Sequence, residues 1–120
     1  MDYKVKNLEV RKKYQDYLLW LFNKINGFPQ KQKFILGVRI GNQALDISEL
    51  LIRIQYASQE KKPDLLVDFN LKLEIMRSLM RIAWSMKFLS HESFSFQEAK
   101  IDEVGRMAWG LVNVGVKKNQ

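Results

Sequence analysis

The apolar positions of this chain fall into four runs, each spaced by alternating threes and fours. That spacing is the period of a helix with one face turned inward. The run from Phe28 to Ala57 dominates. Pro29 suits a first helical position, where no hydrogen bond is lost, and no further proline comes before Pro63. One largely apolar row there is Phe34, Val38, Gly41, Leu45, Ser48, Ile52; a second is Ile40, Ala44, Ile47, Leu51, Ile54. Together they are wider than one neighbouring element covers. The pattern predicts a helix ending near Gln59 and buried from two sides, by its own core and by a partner subunit. The polar strip is narrow: Asn42, Asp46, Glu49 and Arg53, with Glu49 and Arg53 placed for an i,i+4 pair.

Three further helices flank this one. The first runs from about Asn7 to Asn26, with Tyr14, Leu18, Leu21 and Ile25 inward, Tyr17 and Phe22 beside them, and Trp20 and Lys24 turned away. Asn26-Gly27 reads as its stop, with the glycine in the left-handed conformation. The third starts at Pro63, after the charged turn Glu60-Lys61-Lys62, on the seam Leu66, Phe69, Leu73, Met76, Met80, Ala83. The fourth follows Ser95-Phe96-Gln97-Glu98, which has the spacing of a capping box. It turns Ile101, Val104, Ala108 and Leu111 inward and Lys100, Glu103 and Arg106 outward, with Asp102 and Glu103 in its solvated first turns. Gly105 and Gly110 weaken it and mark places where another backbone comes near. Short connections make consecutive helices antiparallel. The expected fold is all-α, an up-down-up-down four-helix bundle in one domain, 1–120, with loose ends at 1–6 and 116–120.

Composition adds a sign. Lys and Arg number 20 against 13 Asp and Glu, a net charge of +7, and the pI is near 9.7. This favours contact with nucleic acid, an anionic surface or an acidic partner. There is no cysteine, so thiolate chemistry and disulfides are out. The lone histidine, His91, sits in a polar turn without a second imidazole or a thiol to complete a metal site. Paired Glu-x-x-His motifs of a di-iron bundle and Gly-rich phosphate loops are absent. The expectation is no enzyme, no cofactor and no metal. The opening MDYKVKNLEVRKKYQ lacks the apolar run of a signal peptide, and no stretch is long and apolar enough to span a bilayer. A cytoplasmic protein without a membrane partner is expected; the first helix carries too many tyrosines and acids for a lipid-inserting face.

The positive residues gather in the N-terminal arm and first helix (Lys4, Lys6, Arg11, Lys12, Lys13), at the start of the second (Lys31, Lys33, Arg39) and along the third (Lys72, Arg77, Arg81, Lys87). Each group alone is more often a solvated helix face than a binding site. Their recurrence on three of four helices favours a polyanion. Trp20 and Trp84, off the seams, suit either stacking on bases or a subunit interface.

Read in order, the segments WLFNKINGFPQKQKFILGVRI, LLIRIQYA, LKLEIMRSLMRIAWSMKFLS and IDEVGRMAWG resemble the accessory variability determinant (Avd) proteins of diversity-generating retroelements. The resemblance spans about Tyr14 to Gly110 and is sharpest at Phe28-Pro29, Leu79 to Arg81 and Val104-Gly105-Arg106. A sister family, encoded in intervening sequences of bacterial 23S rRNA genes, shares the fold as a structural bundle without a retroelement role. It carries an Asn-x-Ala-Glu-Gly type signature where this chain has NQALDISELL, a departure that favours the Avd side. The resemblance implies a basic homopentamer that binds a reverse transcriptase and template RNA and supports mutagenic cDNA synthesis. The polymerase chemistry would belong to the partner. Arg77, Arg81 and Arg106, which lie in the matching segments, are the first candidate contacts; Lys31, Lys33 and Arg39 are the second, with Lys87 beside them. Asp102 with Arg106, and Glu74 with Arg77, also have the spacing of intrachain pairs.

Overall fold

The computed structural model describes the backbone of residues 3–118 and the side chains of 8–111. Four helices run in chain order: α1 (Tyr3–Asn26), α2, α3 (Lys62–Ser85) and α4 (His91–Lys118). α2 is continuous but not uniform. It begins with Gln30–Gln32, passes through a π-helical turn at Lys33–Gly37 and continues as Val38–Tyr56. Each helix packs on the next, and α1 closes the square against α4. This is the expected up-down-up-down bundle, with no strand among the described residues. α1 begins earlier than the Asn7 start read from the sequence; Met1, Asp2, Asn119 and Gln120, at the outer ends of the expected loose segments, lie outside the described residues.

The core is built from the expected seams. Leu66, Phe69, Leu73, Met76, Met80 and Ala83 of α3 are all buried, as are Ile101, Val104, Ala108 and Leu111 of α4. On α2 the two apolar rows part company. Ile40, Ala44, Ile47, Leu51 and Ile54 are buried within the chain. Phe34, Val38, Leu45 and Ile52 are 72, 50, 49 and 39 % exposed. The π turn contributes to this division. Its wider winding leaves both Phe34 and Ile35 outside while Gly37 faces α1, where a Cβ would come within 2.9 Å of Ile25 Cγ2. On α1 the inward row is Val10, Tyr14, Tyr17, Leu21; Leu18 and Ile25 are half-buried and Phe22 is partly exposed. Trp20, read as turned away, instead packs against the core between Tyr17 and Phe96.

Every helix–helix seam carries a polar tie, which fixes register as apolar packing alone does not. Tyr14 Oη donates to the Ala44 carbonyl at 2.6 Å across α1/α2. Gln43 Nε2 donates to the Lys72 carbonyl at 3.0 Å across α2/α3. Arg77 Nη2 donates to Asp102 Oδ1 at 2.8 Å across α3/α4. Tyr17 Oη donates to Gln97 Oε1 at 3.2 Å across α1/α4. Burial pushes both phenols well above the ordinary tyrosine range, with Tyr17 and Asp46 adding to the effect on Tyr14 and Glu98 to that on Tyr17.

α2 ends at Tyr56, a little short of the expected Gln59, and two helix ends are closed differently from the sequence reading. α4 starts at His91, capped by Ser90, whose Oγ accepts from the Ser93 N–H at 3.0 Å. Ser95 therefore lies inside the helix and its capping-box spacing goes unused. The earlier start lets Phe94 stack on Trp84, with ring centroids 4.5 Å apart, an apolar contact that outweighs the local cap. Asp102 and Glu103 consequently sit mid-helix, not in a first turn. At the end of α1, Gly27 does not take a positive φ. The turn closes with right-handed bonds, Gly27 N–H to the Lys24 carbonyl and Phe28 N–H to the Ile25 carbonyl, both 3.0 Å, and delivers Phe28 into the core.

The left-handed residue is Lys87, φ 67°, between α3 and α4. Its N–H donates to the Trp84 carbonyl and the Phe88 N–H to the Ala83 carbonyl, each 2.9 Å. That pair of bonds is a Schellman close, which glycine fills best. Replacing Lys87 by glycine should raise stability by about 1 kcal/mol, the left-handed penalty less the entropy glycine returns to the unfolded chain. The melting temperature should rise by roughly 4 °C, read by circular dichroism; a fall would contradict a strained turn. Of the two α4 glycines, Gly105 marks a close approach, a Cβ there coming 3.3 Å from Leu73 Cδ1, whereas Gly110 faces open space.

Candidate nucleic-acid and partner interface

The topology sorts the basic residues. The α1/α2 and α3/α4 connections meet at one end of the bundle, where Phe28 and Phe88 touch at 5.5 Å between centroids. Lys24 ends α1 there, Lys31 and Lys33 open α2, and Lys87 forms the α3/α4 turn, with Arg81 one helical turn below the α3 terminus. Lys31, Arg81 and Lys87 are exposed. Residues far apart in sequence thus make one cationic end. Lys24 is not among the candidates that the sequence offers; its place at the same end as Lys31 follows from the hairpin turn.

Arg39 lies further down α2. Its Nη1 donates to Gln43 Oε1 at 3.1 Å, and Gln43 in turn holds the Lys72 carbonyl. Arg39 is exposed but is part of the α2/α3 seam. Arg77 is more deeply committed. Its side chain is only 22 % exposed and bonds both Glu74 on its own helix and Asp102 on α4. Burial disfavours its charge, yet the hydrogen bond to Asp102 and the charge of Glu74 outweigh that and raise its pKa. Two carboxylates already compensate it, so Arg77 is a clamp between helices with little charge to offer a phosphate. The Asp102–Arg106 spacing noticed in the sequence is not used; Asp102 turns to Arg77 instead.

Arg106 is exposed and lines a cleft of about 360 Å³ between α3 and α4, together with Asn70, Glu74, Arg77, Gly105 and Trp109. Gly105 leaves the floor of this cleft bare. Trp109, 46 % exposed, escapes a reading by periodicity because its position falls outside the buried row. Between α2 and α3 lies a cleft of about 420 Å³ with the opposite character, bearing Asp46, Glu49 and Asp68 against Arg53 and Lys72. Arg53 Nη2 holds Glu49 Oε1 at 2.7 Å, the expected i,i+4 pair.

Two groups of exposed apolar residues stand out. One is the outer row of α2, continued onto α1 by Phe22, whose ring lies against Gly41, and by Leu19 one turn away. The other lies on the outside of α3 at Val67 and Leu71, with Ile82 on the same face beyond exposed Ser78. Contiguous exposed apolar surface on a helical bundle marks a place for another macromolecule. Among the described residues no group of three or more His, Cys, Asp or Glu could hold a metal ion. None of the described helices is long and apolar enough to cross a membrane. His91 stands beside Trp84, with ring centroids 5.9 Å apart.

The fold and surface define a class: a basic four-helix bundle with cationic and apolar faces directed outward. Within that class the match is specific. The model of the bAvd-like family covers residues 8–114, and the chain belongs to that family. No curated protein and no solved structure matches it.

Proposed function

We propose that this chain is a non-catalytic accessory subunit of a diversity-generating retroelement, which assembles into a ring and binds the element's reverse transcriptase and template RNA. The observation that carries this reading is the bAvd-like match over residues 8–114. The surface supports it. Two unlike apolar stripes, one on α1/α2 and one on the outside of α3, suit a head-to-tail contact in which one stripe meets the other. Repeated, such a contact closes a ring, whereas a two-fold dimer would need one self-complementary patch. Five copies is the ring size that the family resemblance implies. The cationic end, repeated around the ring, suits RNA held by its phosphates without reading sequence. The catalytic step belongs to the reverse transcriptase.

The test is co-expression with the reverse transcriptase encoded nearest this gene. The two proteins should co-purify through size exclusion, and the complex should make more cDNA from its template RNA than the enzyme alone. A reverse transcriptase that elutes separately and copies the template equally well without this chain would overturn the reading.

A further inference from the structure

On the α1/α4 face, next to the cationic end, a cleft of about 230 Å³ is lined by Lys13, Asp16, Tyr17, Trp20, Phe96 and Lys100. We propose that it is a stacking site for an unpaired nucleobase of single-stranded RNA; this rests on the RNA-binding reading above and gives it a place on the protein.

The geometry has three parts. First, the aromatic surface is fixed. Trp20 stacks on buried Tyr17 at 6.0 Å and 28°, and Tyr17 is itself anchored through its hydroxyl to Gln97. Phe96 meets Trp20 at 4.9 Å and 41°. Inclined at that angle, the two rings form a wedge held from behind, and Phe96 remains 42 % exposed. Second, their faces are reachable by a mobile group. Lys24 Nζ lies 5.8 Å from the Trp20 ring centre and Lys100 Nζ lies 5.5 Å from that of Phe96. An exposed cation–π contact is weaker than a base–aromatic stack. A base can therefore take the ring face while the displaced ammonium turns to the adjoining phosphate.

Third, the charge around the wedge is positive on balance. Lys12 holds Asp16 at 3.7 Å, and Lys13 and Lys100 share Glu103 at 3.3 and 3.5 Å. The hydrogen bond from Lys13 lowers the Glu103 pKa against the opposing effect of burial, so this carboxylate stays ionised and occupied. Glu98 accepts from Gln97 at 2.8 Å. Lys24 has no carboxylate partner among the described residues and is the cation most open to a phosphate. Duplex RNA keeps its bases stacked inside, so it cannot use such a wedge. Lys13, Lys100 and Asp16 of its lining are already ion-paired, and a stack reads no base edge, so weak preference among bases is expected.

Stacking and phosphate contact separate experimentally, because only phosphate contact releases counterions. The probes are a short single-stranded oligoadenylate, a blunt RNA duplex and inorganic polyphosphate, each titrated over a range of salt. Trp20→Leu and Phe96→Leu should each weaken oligoadenylate binding about tenfold at every salt concentration, the size of one base stack, with the salt slope unchanged. Trp20→Phe should retain most of the affinity, and binding of duplex and polyphosphate should not move. In a Trp84→Phe/Trp109→Phe background, oligoadenylate should quench Trp20 fluorescence and polyphosphate should not. Unchanged oligoadenylate affinity in both leucine variants overturns the stacking site alone, as does an equal loss for polyphosphate. A wild-type protein that binds no RNA at low salt overturns the RNA reading along with it.

Discussion

Aspartate at Ile47 should unfold the protomer, whereas aspartate at Leu45 should leave it folded and separate the copies. The two positions are neighbours on one helix, and both rows look equally apolar in sequence. Ile47 has no exposed surface and sits in the core with Ala44, Leu51 and Ile54. Truncating it costs about 2–5 kcal/mol, and the carboxylate brought into an apolar site adds several more. That total is comparable to the whole stability of a domain this size, roughly 5–15 kcal/mol. Leu45 is 49 % exposed, so a carboxylate there keeps its water in the separated protomer and loses it only where a second copy covers the stripe. The core is complete without that copy, since its buried residues come from all four helices. In light scattering Leu45→Asp should run as a single chain of 14.2 kDa, and wild type near five times that mass. Circular dichroism should show a cooperative melt for Leu45→Asp and none for Ile47→Asp. An unchanged mass for Leu45→Asp would remove this stripe from the interface; a folded Ile47→Asp would contradict the core assignment.

This contrast also shows what the sequence could and could not reveal. Periodicity located all four helices and the seams of α3 and α4, because a buried row repeats with the helix. It could not tell which row of α2 faces the core, since an outer row covered by a partner has the same composition. The same ambiguity displaced Trp20: its position leaves the ideal seam, but a large ring reaches past its own helix to Phe96. The end signals erred for a related reason. Ser95 has good capping chemistry, yet the stacking of Phe94 on Trp84 favours an earlier start at Ser90. Gly27 could turn left-handed, but a right-handed turn already places Phe28 in the core, and Lys87 bears the positive φ instead. Among the candidate contacts, the resemblance puts Arg77 and Arg81 on an equal footing. Only the position of Asp102 on the neighbouring helix separates them, and that is a tertiary fact.

The separation yields the other large effect. Replacing Arg81 and Arg106 together by glutamine should flatten the salt dependence of RNA binding, whereas Arg77→Gln should leave the slope intact and lower stability instead. Arg81 and Arg106 are exposed, with no ion pair among the described residues. A phosphate meeting either arginine releases counterions, so neutralising one of them should reduce the slope of log K against log salt by about 0.7 on single-stranded RNA. The double change should therefore remove about 1.4 per protomer that touches the RNA, which the several protomers of a ring would multiply. Arg77 already has Glu74 and Asp102, and a phosphate would have to compete with both. Neutralising it leaves two carboxylates near each other at the α3/α4 seam and removes two charge-assisted hydrogen bonds, a loss of about 1–3 kcal/mol. That loss should appear as a lower urea midpoint with an unchanged m-value. In a complex with reverse transcriptase, the Arg81/Arg106 variant should still form the ring but give less cDNA than wild type at low salt, with a deficit that narrows as salt is raised, because its RNA is held by fewer phosphates. If Arg77→Gln flattens the slope as much as the double variant does, the clamp opens to RNA and Arg77 belongs with the RNA-binding residues. If neither does, the cationic contacts lie with Lys24, Lys31, Lys33 and Lys87 at the end of the bundle, where charge reversal is the next measurement.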